Sequence, residues 1–373
     1  MLRKFCIVPV LVIILLFTAG CEKERPALTS SQKAAADTLG IPPLRLQEML
    51  AKPLYEFSPK EIDLYLPYLQ YTVPDLQERV KHIARKNLGQ PYDIYLLGEY
   101  PAEIYDPQPL YSLDRSDCVV FCEHTLAMAL ASDWQGFFAV LQRLRYRDGI
   151  ISYATRNHYG EYDWPRSNAW LAENICGDLA GERLGYDTVR VDKGKFFRKR
   201  GVPYYLPEDS LIWSYIPLEH MPGILDQLET GDIVNVVRGY KNNKWVGHYG
   251  FVMADGDSAV YFLHSTPPRV KQQLFTEVID NAMVSNFRKK EKNTEIELRN
   301  AEIELYNEEH EVPKPFEDPE AYTLGYRFLR LREDPLENIM GGGQELRLAV
   351  IPVEPEAVKT TRRDSVLRGM MPE

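Results

Sequence analysis

The segments Asp117-Cys118-Val119-Val120-Phe121 and Gly247-His248-Tyr249-Gly250-Phe251 decide the organisation of this 373-residue chain. The first begins an apolar stretch with helical periodicity, so Ser116 or Asp117 caps a helix and Cys118 lies in its first turn. The second has the pattern of a β-strand, and a further strand after it ends at His264. Helices in the first half and an antiparallel sheet in the second half predict an α+β domain.

A cysteine at a helix N-terminus, with a histidine on a later strand, has the pattern of a nucleophile and its base. Unpaired backbone N–H groups and the helix dipole stabilise a thiolate there, and the same N–H groups can hold an oxyanion. Taken singly, Cys118 and His248 more often serve as packing residues. Their joint pattern favours catalysis. Cys122 lies one helical turn further on the same face, which indicates packing.

The relation between His248 and His264 depends on the length of the hairpin loop around Gly256. With the odd loop Asp255-Gly256-Asp257, His248 directly faces His264, and one imidazole can orient the other. An Asp-Gly pair instead favours a two-residue turn, which places the two histidines on opposite faces of the sheet. The sequence leaves both arrangements open.

The first residues resemble a bacterial lipoprotein signal. Arg3 and Lys4 precede an apolar run that is short for a bilayer span, and Thr18-Ala19-Gly20-Cys21 places small residues at a cleavage site. We therefore expect residues 1–21 to form a signal that ends at a lipidated Cys21. This predicts a periplasm-facing lipoprotein of the cell envelope, held in the outer membrane. A plain secretory signal or a membrane anchor is the alternative.

Charge and cysteine content limit which partners and which disulfides are expected. The chain has 54 acidic and 44 basic side chains, and its formal net charge of −10 disfavours nucleic-acid binding. Cys6 leaves with the signal and Cys21 is assigned to lipid. The remaining three cysteines form no disulfide framework, although a bridge between Cys122 and Cys176 would leave Cys118 free.

We divide the exported chain into three parts. Residues 22–74 are expected to be a tether, as far as about Leu39, and then a helical extension. Within this extension Ser58-Pro59-Lys60-Glu61 is a capping box that starts a helix. Residues 75–335 are expected to form the main domain, with a solvated helical or flexible insertion near 288–320. Residues 336–373 hold a candidate strand, at 346–351, and a flexible tail.

Within residues 75–335 we also expect two further helices and a loop between them. An amphipathic helix is expected around residues 137–144, and another after Ser167 with Trp170, Asn174, Ile175 and Leu179 on one face. Between them lies the polar and aromatic loop Arg156-Asn157-His158-Tyr159, which suits a ligand-facing rim as well as it suits an ordinary surface.

Several short motifs, taken together and in order, resemble those of one hydrolase family. They are Gly89-Gln90-Pro91-Tyr92, Asp117-Cys118-Val119-Val120-Phe121, Arg145-Tyr146-Arg147-Asp148-Gly149, Arg156-Asn157-His158-Tyr159, Gly231-Asp232-Ile233-Val234, Gly247-His248-Tyr249-Gly250 and Leu263-His264-Ser265. This series is similar to the N-acetylmuramoyl-L-alanine amidase-like family, in the NlpC-type branch of the papain-like cysteine hydrolases. The resemblance covers roughly residues 75–335.

The resemblance implies a papain-like NlpC-type fold and a peptidoglycan substrate, with no cofactor and no metal. Cys118 would be the nucleophile, His248 the general base and His264 the orienting residue of a Cys-His-His triad. The expected substrate-binding residues are Tyr92, Asp117, Arg156, His158 and Tyr159. The enzyme would cut a stem-peptide amide, either between muramic acid and L-alanine or between γ-D-glutamate and the diamino acid.

Two other classes of function stay open at this point. A zinc amidohydrolase could use His158, His248 and His264, although the chain has no HExxH or CxxC pair. A catalytically silent lipoprotein could hold peptidoglycan without cutting it. Oligomeric state is not indicated by the sequence.

Overall fold

The computed structural model describes residues 27–204, 206–256 and 259–341. The expected signal with Cys21 and the candidate strand at 346–351 lie outside these ranges. Within them, no helix combines the length and the apolar composition needed to cross a bilayer.

The described ranges contain eleven α-helices and eight β-strands. The helices are α1 Ser30–Leu39, α2 Pro43–Ala51, α3 Pro59–Thr72, α4 Leu76–Lys86, α5 Cys118–Leu130, α6 Trp134–Arg145, α7 Asp163–Ser167, α8 Cys176–Ala180, α9 Lys193–Lys199, α10 Phe275–Glu309 and α11 Pro335–Gly341. The strands are β1 Ala172–Asn174, β2 Gly185–Val191, β3 Asp209–Pro217, β4 Ile233–Tyr240, β5 Asn243–Asp255, β6 Ala259–Thr266, β7 Arg269–Leu274 and β8 Tyr322–Leu331.

The eight strands form one sheet in the order β2-β3-β8-β4-β5-β6-β7, with β1 paired to β8. All of its strand pairs are antiparallel. The predicted α+β class with an antiparallel sheet is therefore confirmed.

Alternating residues of the central strands divide the core into two layers. Tyr249 and Phe251 of β5 pack with α5 and the other N-terminal helices, and the rings of Phe121 and Phe251 lie 5.9 Å apart. On the opposite face, Val252 packs with Phe262 and with Phe275 at the start of α10. Both faces of β5 are thus covered by helices, because successive side chains along a strand point to opposite faces.

The N-terminal helices begin where the sequence places their caps. Ser58 and Glu61 form the expected reciprocal capping box at the start of α3, and Gly89 ends the turn after α4 with a φ of +89°. The predicted tether up to Leu39 is wrong in its second half. Residues 30–39 form α1, and Ala36 is fully buried in the main core because this short helix packs on α3.

Other elements differ from the prediction or were missed by it. The helix expected after Ser167 is absent from the described residues. The chain there forms β1, because Ala172 to Asn174 pair with β8, and then the short α8. Strands β2, β3 and β7 were not predicted. The region 288–320 is helical as far as Glu309 but belongs to a helix that starts at Phe275, and residues 336–341 are helical, part of α11.

Candidate active site

Cys118 is the first residue of α5, and Asp117 is its N-cap. The Asp117 carboxylate accepts hydrogen bonds from the backbone N–H groups of Val119 at 2.9 Å and Val120 at 2.8 Å. The Cys118 side chain is partly exposed, whereas Cys122, one turn further, is 1% exposed. The predicted helix-starting position of Cys118 is confirmed, and so is the packing position of Cys122.

This cap bears on two predictions, the substrate contact of the Asp117 carboxylate and the oxyanion-binding role of the first N–H groups of α5. Asp117 satisfies N–H donors of its own helix, so its carboxylate is committed to the cap rather than directed at a ligand. The same cap occupies two of the N–H groups that were expected to hold an oxyanion. The N–H of Cys118 instead lies near its own sulfur.

The sulfur of Cys118 contacts β5 at the peptide that joins His248 and Tyr249. The backbone N–H of Tyr249 lies close enough to the sulfur to lower the pKa of the thiol. Burial and the Asp117 carboxylate act more strongly in the opposite direction and raise this pKa to about 12. Cys118 is therefore a neutral thiol near pH 7. Tyr92 also lies nearby, since Cys118 and Asp117 contribute to its raised pKa, after burial.

Beyond this peptide, His248 begins a chain of three hydrogen-bonded side chains. His248 Nε2 lies 2.7 Å from His264 Nδ1, and His264 Nε2 lies 3.0 Å from Gln273 Oε1. The ring of Phe262 packs against both imidazoles. Among the described contacts, His248 is bonded to His264 and not to the sulfur of Cys118. Sequence reasoning missed Gln273, although alternation along β7 was a signal that could have found it.

The chain of hydrogen bonds fixes the tautomer of each imidazole. The Gln273 oxygen can only accept a hydrogen bond, so Nε2 of His264 carries the proton of that ring. Nδ1 of neutral His264 then accepts a hydrogen bond from the Nε2–H of His248. Nδ1 of neutral His248 is then left without a proton. This is the form that a general base requires.

Strand register explains why the two histidines meet. Phe251 pairs with Leu263 and Asp255 with Ala259, so the loop between β5 and β6 has three residues. An odd loop keeps His248 and His264 on one face of the sheet, which is the first of the two arrangements that the sequence left open. They are not directly opposite, as they would be with the loop 255–257, because the loop is 256–258 and its register makes the histidines diagonal neighbours.

Both imidazoles are neutral near pH 7. Burial lowers the pKa of His248 to about 3, and the neighbouring His264 adds to the effect. Burial also lowers the pKa of His264 to about 4, against the opposing hydrogen bond of Gln273. Together with the high pKa of the thiol, these values mean that sulfur and imidazole do not form an ion pair at rest. A base would have to take the thiol proton before the sulfur could act as a nucleophile.

A buried polar cluster braces α5 below the cysteine. Glu123 is 2% exposed, accepts a hydrogen bond from Trp164 Nε1 at 3.1 Å, and is paired with Arg145 at 3.4 Å. Arg145 also donates to the carbonyl oxygen of Leu97 at 3.0 Å. These contacts hold the helix that carries Cys118 against the loops around it.

The loop that contains Arg156 is built into the protein. Arg156 Nε donates to Glu99 Oε1 at 2.6 Å, and its Nη2 donates to Glu99 and, at 2.9 Å, to Asp106. The guanidinium of Arg156 thus neutralises a carboxylate that has no solvent exposure, and its predicted contact with substrate stays a prediction. His158 Nε2 lies 2.7 Å from the carbonyl oxygen of Tyr153, and burial lowers the pKa of this histidine.

The residues after His158 form one wall of a cleft. Arg327 Nη2 donates to the carbonyl oxygen of Gly160 at 2.6 Å, and the N–H of Val246 donates to Glu161 at 3.0 Å. The cleft has a volume of about 1240 Å³, and its lining includes His158, Tyr159, Tyr186, Arg190, Trp245 and Val246. Val246 lies two residues before His248 on β5, whereas Cys118, His248 and His264 are not part of this lining.

The described residues contain no cluster of three or more His, Cys, Asp and Glu side chains that could hold a metal ion. His158 is directed at a backbone carbonyl, so it does not join His248 and His264 as the zinc alternative requires. Cys122 and Cys176 are both free thiols, and the bridge considered between them is therefore not formed.

Comparison with known sequences finds one family. The model of the AmiA-like family, described as N-acetylmuramoyl-L-alanine amidase-like, matches residues 82–293. This range includes Cys118, His248, His264 and Gln273, and it ends inside α10. Among curated protein sequences, none matches the chain significantly.

Solved structures show a similar fold at low identity. A Legionella pneumophila protein of the DUF1460 family is 18% identical with a TM-score of 0.57, covering 73% of this chain and 94% of that one. An N-acetylmuramoyl-L-alanine amidase from Bacteroides uniformis is 18% identical with a TM-score of 0.45, covering 69% and 99%. A putative xylanase from Bacteroides fragilis has the same identity and TM-score, covering 66% and 98%. The first of these supports a common fold.

Proposed function

Since the chain belongs to the AmiA-like, N-acetylmuramoyl-L-alanine amidase-like family, we propose that it is a cysteine hydrolase of peptidoglycan stem-peptide amides. We place it with the NlpC-type papain-like enzymes. The observation that carries the proposal is the juxtaposition of Cys118 with the His248–Tyr249 peptide, where a neutral imidazole is held in one tautomer by His264 and Gln273.

In the proposed reaction, Nδ1 of His248 takes the thiol proton as Cys118 attacks the stem-peptide carbonyl. The N–H of Cys118 stabilises the oxyanion. His248 then donates this proton to the departing amine, and water releases the acyl group from the sulfur. Hydrogen bonds between catalytic groups are often long in ligand-free enzymes, so the sulfur and the imidazole are expected to approach when substrate fills the cleft.

The cleft beside Tyr159 and Trp245 supports a substrate larger than a short peptide. Its aromatic side chains offer apolar faces, and Arg190 offers a cation for a carboxylate. A muropeptide presents both sugar rings and carboxylates. Cleavage of either the muramoyl-L-alanine bond or the γ-D-glutamyl bond is compatible with this arrangement.

Digestion of purified peptidoglycan, followed by mass spectrometry of the products, tests the proposal. Disaccharide chains released from intact peptides identify the first bond, and shortened dipeptide stems identify the second. Cys118→Ala should lose activity by about three orders of magnitude or more, His248→Ala should be comparably impaired, and His264→Ala should retain part of the activity. Cys122→Ala is the matched control and should remain active.

Other outcomes would assign a different function. Binding of peptidoglycan by the wild-type chain without any cleavage would indicate a silent binding protein. Full activity of Cys118→Ala, with loss of activity on treatment with a chelator, would indicate the zinc mechanism.

We also propose that the protein is a lipoprotein anchored in the outer membrane and facing the periplasm. Thr18-Ala19-Gly20-Cys21 supports this. The wild-type chain should partition into detergent and incorporate labelled fatty acid, because two or three acyl chains suffice for stable attachment. Cys21→Ser should abolish the labelling. Unchanged labelling in that variant would exclude the anchor.

A further inference from the structure

One face of the long helix α10 binds the segment that follows it. Four asparagines at intervals of seven residues each donate to a backbone carbonyl and accept from the N–H of the same residue in the returning chain. The pairs are Asn286 with Thr323, Asn293 with Glu320, Asn300 with Glu317 and Asn307 with Lys314, at distances of 2.6–3.0 Å. We call residues 310–323 the return segment.

The spacing of this ladder follows from elementary geometry. Seven residues of α-helix advance about 10.5 Å, and three residues of extended chain advance about 10 Å. A seven-residue interval in α10 therefore matches a three-residue interval in the return segment. Ile296 lies on the same side of the helix and is 4% exposed. The inner face of α10 thus packs against other parts of the same chain.

The outer face of α10 carries a second apolar stripe that nothing in the described residues covers. Val284, Phe287, Leu298 and Leu305 are 51%, 68%, 66% and 64% exposed. Together with Glu291, Thr294, Ala301 and Glu308 they occupy alternating three- and four-residue intervals, which is the spacing of a coiled-coil seam. Single exposed apolar side chains are ordinary, but two exposed apolar groups along one line of a helix, here separated by Glu291 and Thr294, indicate an interaction surface.

The charges beside this stripe reverse sign along the helix. Residues 288–292 contain four basic side chains and one acidic one, whereas residues 295–309 contain six glutamates and one arginine. Arg288 and Lys290 flank Phe287, and Glu302 and Glu304 flank Leu305. An identical helix laid antiparallel would place the basic part of each copy beside the acidic part of the other. A parallel arrangement would place like charges together.

We propose that α10 is a homodimer interface in which the outer apolar stripes of two copies pack antiparallel. The partner is a second copy of this chain, because the α10 helix of an antiparallel copy presents acidic residues to the basic part of this helix and basic residues to its acidic part. The surface is separate from the Cys118 site, and half of it lies beyond residue 293, where the family match ends.

Sedimentation of the full chain in detergent, over a range of concentrations, tests the proposal. The wild-type chain should dimerise. Leu298→Glu and Leu305→Glu should each raise the dissociation constant by at least about tenfold, because each removes a large apolar side chain from the contact. Ile104→Glu is the matched control, since Ile104 is 82% exposed on a different element. Thermal unfolding of each variant verifies that its fold is retained.

Charge exchange tests the antiparallel orientation. The double variants Arg288→Glu/Lys290→Glu and Glu302→Lys/Glu304→Lys should each weaken the dimer. The quadruple variant that combines them should restore it, because both signs are then exchanged. A monomeric wild-type chain overturns the proposal, as does a dimer that tolerates Leu298→Glu. If the wild-type chain is monomeric and a Leu298→Cys thiol becomes reactive only after removal of residues 342–373, the occupant is the chain's own C-terminal segment instead.

Discussion

Gly250 lies against His264 so closely that it leaves no room for a side chain between them. A Cβ atom on Gly250 would lie 2.9 Å from the His264 Cβ, 2.6 Å from the Leu263 carbonyl oxygen and 2.5 Å from Phe262 Cε2. These neighbours belong to β6 and its backbone, so they cannot move aside as a flexible chain end could. The absence of a side chain at residue 250 thus fixes the position of the second imidazole.

Gly250→Ala should therefore displace His264 and disturb its bond to His248. We expect a loss of about 1–3 kcal/mol in the free energy of unfolding, as for other overpacked sites, and a larger fall in kcat than in substrate affinity. Urea unfolding and muropeptide turnover measure these effects. Gly256→Ala is the control, since a Cβ there meets no atom within 4 Å. Equal effects of the two substitutions would contradict the positional role of Gly250.

Replacement of Gln273 tests its control of the histidine tautomers. Gln273→Leu removes the acceptor from His264 Nε2, so His264 can adopt the tautomer that turns the His248 base into a donor. We expect kcat to fall about tenfold or more with a small change in KM. Gln273→Glu keeps an acceptor and should retain more activity, while its charge raises the pKa of His264 and shifts the acid limb of the pH profile upward.

The neighbouring Gln272 provides a matched control for these substitutions. Its side chain accepts a hydrogen bond from Arg85 at 3.1 Å and takes no part in the histidine chain. Gln272→Leu should leave the pH profile unchanged. If Gln273→Leu also left kcat and the pH profile unchanged, Gln273 would have no role in positioning the base.

Local sequence rules predicted much of this site because its components are local. Helix capping put Cys118 in the first turn of α5, and strand alternation allowed His248 and His264 to share a face. The exact pairing was not predictable, since local rules do not distinguish the loop 255–257 from the loop 256–258. In the structure Asp255 still pairs with Ala259 and is bound by Arg85 of α4 at 2.7 Å.

The missed features depend on partners that are remote in sequence. Arg156 looks like a surface residue until Glu99, 57 positions earlier, is brought against it. The charged stretch after Phe287 looks like solvated chain, but each asparagine of its ladder is satisfied only when residues 314–323 return along the helix. Such pairings depend on tertiary structure, which periodicity alone does not reveal.

Buried histidines should make the protein sensitive to acid. Burial lowers the pKa of His124 to about 3 and that of His264 to about 4, from the ordinary value of 6.5. Below pH 6.5 these histidines bind protons in the unfolded chain but not in the folded chain. The stability present above pH 6.5 is therefore lost as pH falls toward their folded-state pKa values. Between pH 5.5 and 4.5 each histidine should lower the free energy of unfolding by about 1.4 kcal/mol per pH unit.

Urea unfolding of His264→Gln at several pH values measures the contribution of His264 to the pH dependence of stability. Its stability should fall less steeply than that of the wild-type chain by about 1.4 kcal/mol per pH unit in the same window. An identical slope in both proteins would show that His264 takes up its proton as readily in the folded chain as in the unfolded one.

The reactivity of Cys118 should follow the raised pKa of its thiol. Alkylation requires the thiolate, so the rate with iodoacetamide should increase up to about tenfold per pH unit between pH 7 and 9 without levelling off. Peptide mass spectrometry distinguishes Cys118 from the buried Cys122 and Cys176. A rate that is already constant near pH 7 would instead indicate a resting thiolate–imidazolium pair.

Arg156 distinguishes a structural loop from a substrate-binding one. The Glu99 side chain has no solvent exposure and that of Arg156 only 15%, so Arg156→Ala leaves a buried carboxylate without its partner. We expect a loss of about 3–5 kcal/mol in the free energy of unfolding, and partial recovery when Glu99→Gln is added. The control is Arg166→Ala, whose pair with Asp209 is half-exposed and should contribute less than about 1 kcal/mol. Unchanged stability of Arg156→Ala with a raised KM would return Arg156 to the substrate site.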